Sequence, residues 1–421
     1  MTLNQLLTTA PQSHSQLAAA TAVSSESVAK PCRVLHIIDS LGVGGAETWI
    51  MSLLRYFAKH RIHDGQSFEF DLCLTSGKEA VFDDEARALG ATLHYLPYSR
   101  RNLWSFTTKF RKLLRNRCYS AIHDHQEFSG GFHLACGLGA LPPVRVIHVH
   151  NPLLHYENYG TTFSRRCSIK MGRAGVALFS TAIAGTSCQL LREYGYDRQP
   201  FVSRNRGAAH CGFDVNEFMG DYEESHRSVC REFGWPSSVR IVLFVGRLDS
   251  NRNEQKNQKN PAFAFKIAQK IAQRNRDTVF LFAGAGDEAR SRFETEVREA
   301  SLEDQIRFVK PRNDIHRLMI GSDQLLFPSH AEGLGMVVVE AQAAGLPVLA
   351  SDTTPREAVV LPELVEHLPL EFGVSRWAEV LEERLQAPRP SIETCNRAVH
   401  RSAFSIESSA KRLIHLYLEN K

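Results

Sequence analysis

Between residues 33 and 351 the chain repeats one pattern: a short apolar run, a turn, then a longer stretch with apolar residues at helical spacing. A first series of runs stands at 33–38 (RVLHII), 68–74, 92–96, 120–125, 144–150 and 178–184, and a second at 239–246, 278–284, 305–310, 323–329 and 346–351. Several, VRIVLFVG (239–246) and TVFLFAG (278–284) above all, are apolar along nearly their whole length rather than at every other residue. A strand reads that way only when both faces of its sheet are covered. Helical stretches at 48–60, 260–273, 287–300 and 336–344, among others, provide the cover. The pattern predicts an α/β fold of two Rossmann-like domains with parallel sheets, facing each other across a cleft. The polar, glycine-bearing stretch 204–221 marks the joint between them.

The domain limits follow from these shifts. Residues 1–31 are rich in Ser, Thr, Ala and Gln, with one Lys, no Arg and one Glu, and predict a disordered tail without the features of a secretory or mitochondrial leader. Residues 32–212 form the first domain and 213–403 the second. The last segment, 404–421, carries Ala410, Leu413, Ile414 and Leu416–Leu418 at helical spacing and predicts a packed terminal helix. With 43% hydrophobic residues in 421, there is material for two cores.

Composition excludes several classes. Lys and Arg number 50 against 46 Asp and Glu, a net charge of +4, too balanced for a chain whose main partner is nucleic acid. No apolar run approaches the roughly 20 residues a membrane helix needs. Nine scattered cysteines without a C-x-x-C pair speak against structural zinc and for a reducing, cytoplasmic setting.

Ligands of open parallel sheets bind at the carboxyl ends of the strands, and the motifs fall there. Glu332-Gly333-Leu334-Gly335-Met336-Val337-Val338-Val339-Glu340 follows the run ending LLFPS. Its glycines permit a tight loop, and the helix it opens offers unpaired N–H groups to phosphate or sugar oxygens. Glu340 lies on an otherwise apolar helix, a costly place for a carboxylate unless it is paired or faces a ligand. Gly246-Arg247 ends another strand, with Lys256 and Lys259 in the polar loop beyond. A guanidinium and an ammonium together suit a diphosphate, although any single loop lysine is more often only solvated. Gly42–Glu47 (GVGGAE) is a glycine turn after the first strand, weak alone. Gly284-Ala285-Gly286-Asp287 reads as a structural or base-side turn.

The pairs His123-Asp124-His125 and His148-Val149-His150 each place two imidazoles on one strand face. A zinc-dependent hydrolase could use such pairs and is the rival enzyme class. A hydrogen-bonded structural histidine is the plainer reading of each, and either His148 or His150 could face the cleft. Residues 97–120 hold Arg100, Arg101, Lys109, Arg111, Lys112, Arg115 and Arg117 with no acid, and Trp104, Phe106, Phe110, Leu113 and Leu114 make the stretch amphipathic. It reads as a solvated helix face or as a dock for an anionic membrane surface, worth about 1 kcal/mol per basic residue near the headgroups.

The combination of GGAE, G-R with a downstream Q-K-N, and E-G-L-G-M-x-x-x-E-A-x-A-x-G-x-P-V-x-x-S-D resembles the retaining GT-B glycosyltransferases of family 4, of the bacterial exopolysaccharide and capsule type. The resemblance runs from about Arg33 to about Val360. It implies a nucleotide diphosphate sugar donor, UDP-linked or, second, GDP-linked, and a glycan or lipid-linked acceptor. Glu332 would contact the donor sugar, Glu340 the ribose, and the amides of Gly335, Met336 and Val337 the sugar and phosphate. Arg247 and Lys259 would neutralise the diphosphate, Gly44 and Gly45 would close over it, and His150 would lie near both sugars. Phe308, Val309 and Arg312 would lie along the base. The terminal helix would cross back to the first domain. No cofactor or metal is implied. Two departures stand out: the lysine follows Arg247 later than the family's does, with the repeated Q-K-N leaving Lys256 or Lys259 open, and Cys211-Gly212-Phe213-Asp214 replaces the usual linker Asn-Gly-Ile-Asp. A non-catalytic nucleotide-sugar-binding protein remains the third class.

Overall fold

Strand β1 (Cys32–Ile38) shows how the cores are built. Leu35 and Ile37 pack on one face, Val34 and Ile38 on the other, and all four are buried. The structure, a computed structural model, describes residues 30–63, 65–157, 162–198, 205–248 and 257–418. β1 is joined by β2 (Ile62–His63), β3 (Gln66–Leu74), β4 (Thr92–Tyr95), β5 (Ala121–Asp124), β6 (Val144–Val149), β7 (Ala182–Gly185) and β8 (Asn205–Ala208). Their order is β2-β3-β1-β5-β6-β7-β8, with β4 also on β3, and every pairing is parallel except β2 with β3.

The second sheet contains β9 (Arg240–Val245), β10 (Thr278–Ala283), β11 (Ile306–Val309), β12 (Gln324–Phe327), β13 (Val348–Ser351) and β14 (Val365–Leu368), in the order β11-β10-β9-β12-β13-β14. This is the doubly wound order, in which the chain reverses direction between β9 and β12 and leaves a crevice at their carboxyl ends. Along β9, Ile241 and Leu243 enter one core and Val242 and Phe244 the other. Apolar burial of this kind contributes about 1.5–3 kcal/mol per large side chain.

Three elements differ from the sequence expectation. The run at 178–184 is split: the helix Phe163–Phe179 takes its start and β7 begins only at Ala182. The polar stretch 204–221 is not wholly a joint, because Asn205–Ala208 adds β8 to the first sheet through ladder bonds that need no apolar side chains. β14, on the edge beside β13, was not legible, since VEHL is only four residues long and sets two polar residues between its apolar ends. The expected tail lies almost wholly outside the described residues.

The chain passes between the sheets twice, side by side. Phe213 N–H donates to the Phe404 carbonyl (3.1 Å) and Ile406 N–H to the Phe213 carbonyl (3.0 Å). The helix Ile406–Leu418 then packs on the first domain, burying Ala410, Leu413, Ile414 and Tyr417 against the helix Gly45–Lys59 and its sheet. Trp49 Nε1–H donates to Ser409 Oγ (3.0 Å) across that contact.

Candidate active site

At the crevice of the second sheet, β12 ends in a loop that turns through Gly335 at φ +88°, a left-handed conformation open to glycine, and starts the helix Met336–Ala343. Within that loop Glu332 is buried and accepts a hydrogen bond from Lys259 Nζ at 2.7 Å. Lys259 also lies 5.0 Å from the centre of the Phe327 ring. Its stem runs along Gly246, which has no side chain to obstruct it. Beside it Arg247 Nη2 reaches Gln258 Oε1 at 3.4 Å. Lys256, the other candidate lysine, lies outside the described residues.

Glu340 sits half-buried on the helix that follows. Burial pushes its carboxyl up to about 7; the Lys259 charge offsets part of this and Glu217 adds to it. Lys259 therefore serves two acids, with direct contact to one and a field at the other. Arg247, Lys259, Glu332 and Glu340 form one cluster at one sheet edge.

The first domain meets this loop. The carbonyl of His150, just past β6, stands where a side chain at Gly333 would have to go. Ser187 Oγ–H donates to the Gly333 carbonyl at 2.6 Å. Nearby, Glu357 accepts from the N–H groups of Cys188 (2.8 Å) and Gln189 (3.0 Å), capping the helix Cys188–Glu193 from the opposite domain. Met336 packs against cores of both domains, and Val337 against that of the second. Gly44 precedes the helix Gly45–Lys59 with its Cα beside the Glu47 carboxylate, and open space surrounds Gly45.

The other expected residues lie around the end of β11 and in the turn after β10. The Phe308 ring turns into an aromatic cluster, 4.9 Å from Phe282 and 5.8 Å from Phe293, while Val309 packs on the opposite face of β11. Arg312 is engaged by Glu232 and Asp314, alongside Arg317. The turn at 284–286 is structural, since side chains at Gly284 and Gly286 would strike the carbonyls of Gly246 and Leu248.

The four paired histidines and His36 share one face of the first sheet beneath Trp49. His36 Nδ1 lies 2.9 Å from His125 Nε2, and His125 Nδ1 2.9 Å from His150 Nε2. In a second chain the Tyr417 hydroxyl meets His123 Nδ1 at 2.6 Å and His123 Nε2 meets His148 Nδ1 at 3.1 Å. The nitrogens of His36, His123 and His125, and those of His125, His148 and His150, are close enough to share an ion. One contact counts against it: the His36 and His125 rings are parallel to within 6° at 5.1 Å between centres, and their nearest nitrogens face each other at 2.9 Å. Zinc needs lone pairs converging at about 2.0–2.1 Å each. Two facing nitrogens this close leave room for a proton between them, not an ion. Between His36 and His125 the zinc-hydrolase reading therefore gains no support.

Sequence reasoning missed Glu127, whose Oε1 accepts from the N–H groups of His150 and Asn151, each at 3.1 Å, and so fixes the end of β6. An acid two residues beyond H-D-H was the available signal. Ser187 and Glu357 had none, because their partners lie 146 and 168–169 residues away in the chain.

The basic segment forms the helix Leu103–Arg117. Phe106, Phe110 and Leu114 enter the core, while Trp104, 82% exposed, and Leu103, Lys109, Lys112 and Arg115 face solvent. Arg117 is committed to Asp71, Arg111 Nε–H to the Cys136 carbonyl and Arg100 to Ser168. Among the described residues no helix is long and apolar enough to cross a membrane.

Family models match both halves of the chain: Glycosyltransferase Family 4 over residues 43–202 and Glycosyl transferases group 1 over 229–384. EpsF of Bacillus subtilis (strain 168) is 28% identical over 400 residues, covering 91% of this chain and 96% of its own. The capsular polysaccharide biosynthesis glycosyltransferase CapH of Staphylococcus aureus is 24% identical over 351 residues, covering 83% and 90%. Among solved structures, HepE of Anabaena in complex with UDP and glucose superimposes with a TM-score of 0.69 over 91% of this chain and 98% of its own, at 15% identity, a likeness of fold.

Proposed function

We propose that this chain, whose two halves each match a glycosyltransferase family model, is a GT-B glycosyltransferase of family 4, of the exopolysaccharide and capsule type, and that it transfers a sugar, with retention, from a UDP-sugar to a glycan or lipid-linked acceptor. The observation that carries this reading is Lys259 seated against Glu332 and within the field of Glu340, beside Arg247. Before ligand arrives, the ammonium and the Glu332 carboxylate satisfy each other. A diphosphate draws Lys259 and the Arg247 guanidinium toward its oxygens, which frees Glu332 to accept from sugar hydroxyls. Glu340 accepts from the ribose hydroxyls. The amides of Gly335, Met336 and Val337, at the start of their helix, face phosphate and sugar oxygens.

In the reaction the acceptor oxygen bonds to the anomeric carbon as the carbon–oxygen bond to the diphosphate breaks on the same face. The leaving diphosphate carries away the bonding pair, and its oxygen takes the acceptor's proton. Arg247 and Lys259 stabilise the charge that develops there. We assign residues 213–403 to the donor and 32–212 to the acceptor, with Gly44, Gly45 and His150 on the acceptor side. The end of β11 serves the base through main-chain atoms of Val309 and its successors, because the Phe308 and Arg312 side chains are occupied. Arg101, Lys109, Lys112, Arg115 and Trp104 present a face for anionic membrane, consistent with a cytoplasmic enzyme working on a lipid-linked acceptor.

A panel of UDP- and GDP-sugars, scored for thermal stabilisation and nucleotide release, tests the reading. One donor should both stabilise the protein and be turned over. Stabilisation without release would mark a binding protein, and silence across the panel would overturn the assignment.

A further inference from the structure

His36, His125 and His150 form one hydrogen-bonded line across β1, β5 and the end of β6. Only the last ring reaches the cleft, where its remaining nitrogen, Nδ1, has the Cys211 thiol at 3.8 Å as its neighbour. Burial holds all three imidazoles in the neutral form, His36 and His150 lowered to about 3 and His125 well below its ordinary value. A neutral imidazole carries one proton, so it donates through one nitrogen and accepts through the other. Each of the two contacts needs one N–H facing one lone pair. A single ring in the wrong tautomer would set two N–H groups, or two lone pairs, against each other in a site that water cannot relieve. Only two arrangements remain for the three rings: every proton on Nδ1, or every proton on Nε2.

We propose that His36 and His125 are positioning residues that couple His150 to themselves, so that the line adopts one of its two senses as a unit and Nδ1 of His150 meets a ligand in the cleft with a fixed role as donor or acceptor. Trp49 closes the chain from above, with ring centres 5.8 Å from His125 and 5.7 Å from His150. The use made of His150 rests on the transferase reading; the tautomer itself does not, and can be read without any substrate.

The test is a long-range proton–nitrogen spectrum of the full-length protein labelled with ¹⁵N-histidine, the His150 signals being assigned by their loss in H150N. The native protein should show one protonated and one bare nitrogen on each of the three rings, in the same sense throughout. H36L should collapse the His150 pattern to a mixture. H36N, whose amide sets a donor and an acceptor where Nδ1 stood, should restore a single form. Y417F, which cuts the neighbouring chain through His123 and His148, should leave it unchanged. A tautomer mixture at His150 in the native protein would overturn the proposal whether or not any variant folds. An unaltered His150 pattern in H36L, or an equal disturbance from Y417F, would do the same.

Discussion

At the scale of single residues, the account turns on Lys259 and the two acids it serves. With Glu332 only 6% exposed, removing the ammonium leaves a buried charge without a partner, at a cost of about 3–5 kcal/mol. K259M should therefore lower the melting temperature sharply. The double variant K259M/E332L, which removes both charges, should recover most of the loss; chemical denaturation of the three proteins measures the difference. Glu340 gives a pH signature. Its carboxyl titrates near 7, above the ordinary value, so the folded state holds the proton more tightly than the unfolded one. Its contribution to stability is complete below about 4.3, the ordinary carboxylate value, and is lost as pH rises through about 7. Donor binding runs the other way, since the ribose hydroxyls bond best to the ionised form. The donor KM should rise as pH falls below 7, and E340Q should flatten both trends.

Among elements, legibility followed locality. The glycine loop and the helix after β12 could be read because each residue's role depends on neighbours in the chain: Gly335 must turn left-handed, and an acid on an apolar helix calls for a partner. The choice of Lys259 could be argued only from Asn260-Pro261 opening the next helix. The partners of Phe308 and Arg312 could not be read, because a strand end looks the same from sequence whichever face its side chains take; here one ring joined an aromatic core and the guanidinium joined Glu232 and Asp314. β8 escaped notice because its bonds are made by backbone. The helix Leu103–Arg117 divides its charges in a way sequence could not show, with Arg111 and Arg117 bound inward and Lys109, Lys112 and Arg115 outward. Reversing the outward three (K109E/K112E/R115E) should release the protein from sedimenting vesicles that contain phosphatidylglycerol, whereas R111Q should change partitioning little. Equal binding by the native and reversed proteins would remove the membrane face from the account.

Over the whole molecule, two parallel sheets could be read from the alternation of apolar runs, and their shared doubly wound order explains why the motifs collect at carboxyl ends. What the alternation could not supply is how the halves meet. That depends on the Gly333 loop against the His150 carbonyl, on Ser187 and Glu357 reaching across, and on the return helix held by Trp49 and Ser409. G333A should force the halves apart and raise the donor KM about 10-fold or more, as misplacement of about 1 Å can cost 100-fold, while circular dichroism stays native.

The central claim is that one pocket, built from Arg247, Lys259, Glu332 and Glu340, receives a sugar nucleotide through its diphosphate. Arg247 is exposed and can be changed without disturbing a core. A calorimetric titration of UDP, with GDP alongside, into the native protein and R247Q tests the claim most directly. Loss of a charge-assisted pair worth about 1.5–3 kcal/mol should weaken the preferred diphosphate about 10- to 100-fold. Equal affinity in the two proteins, or no heat from either nucleotide in the native one, would contradict it.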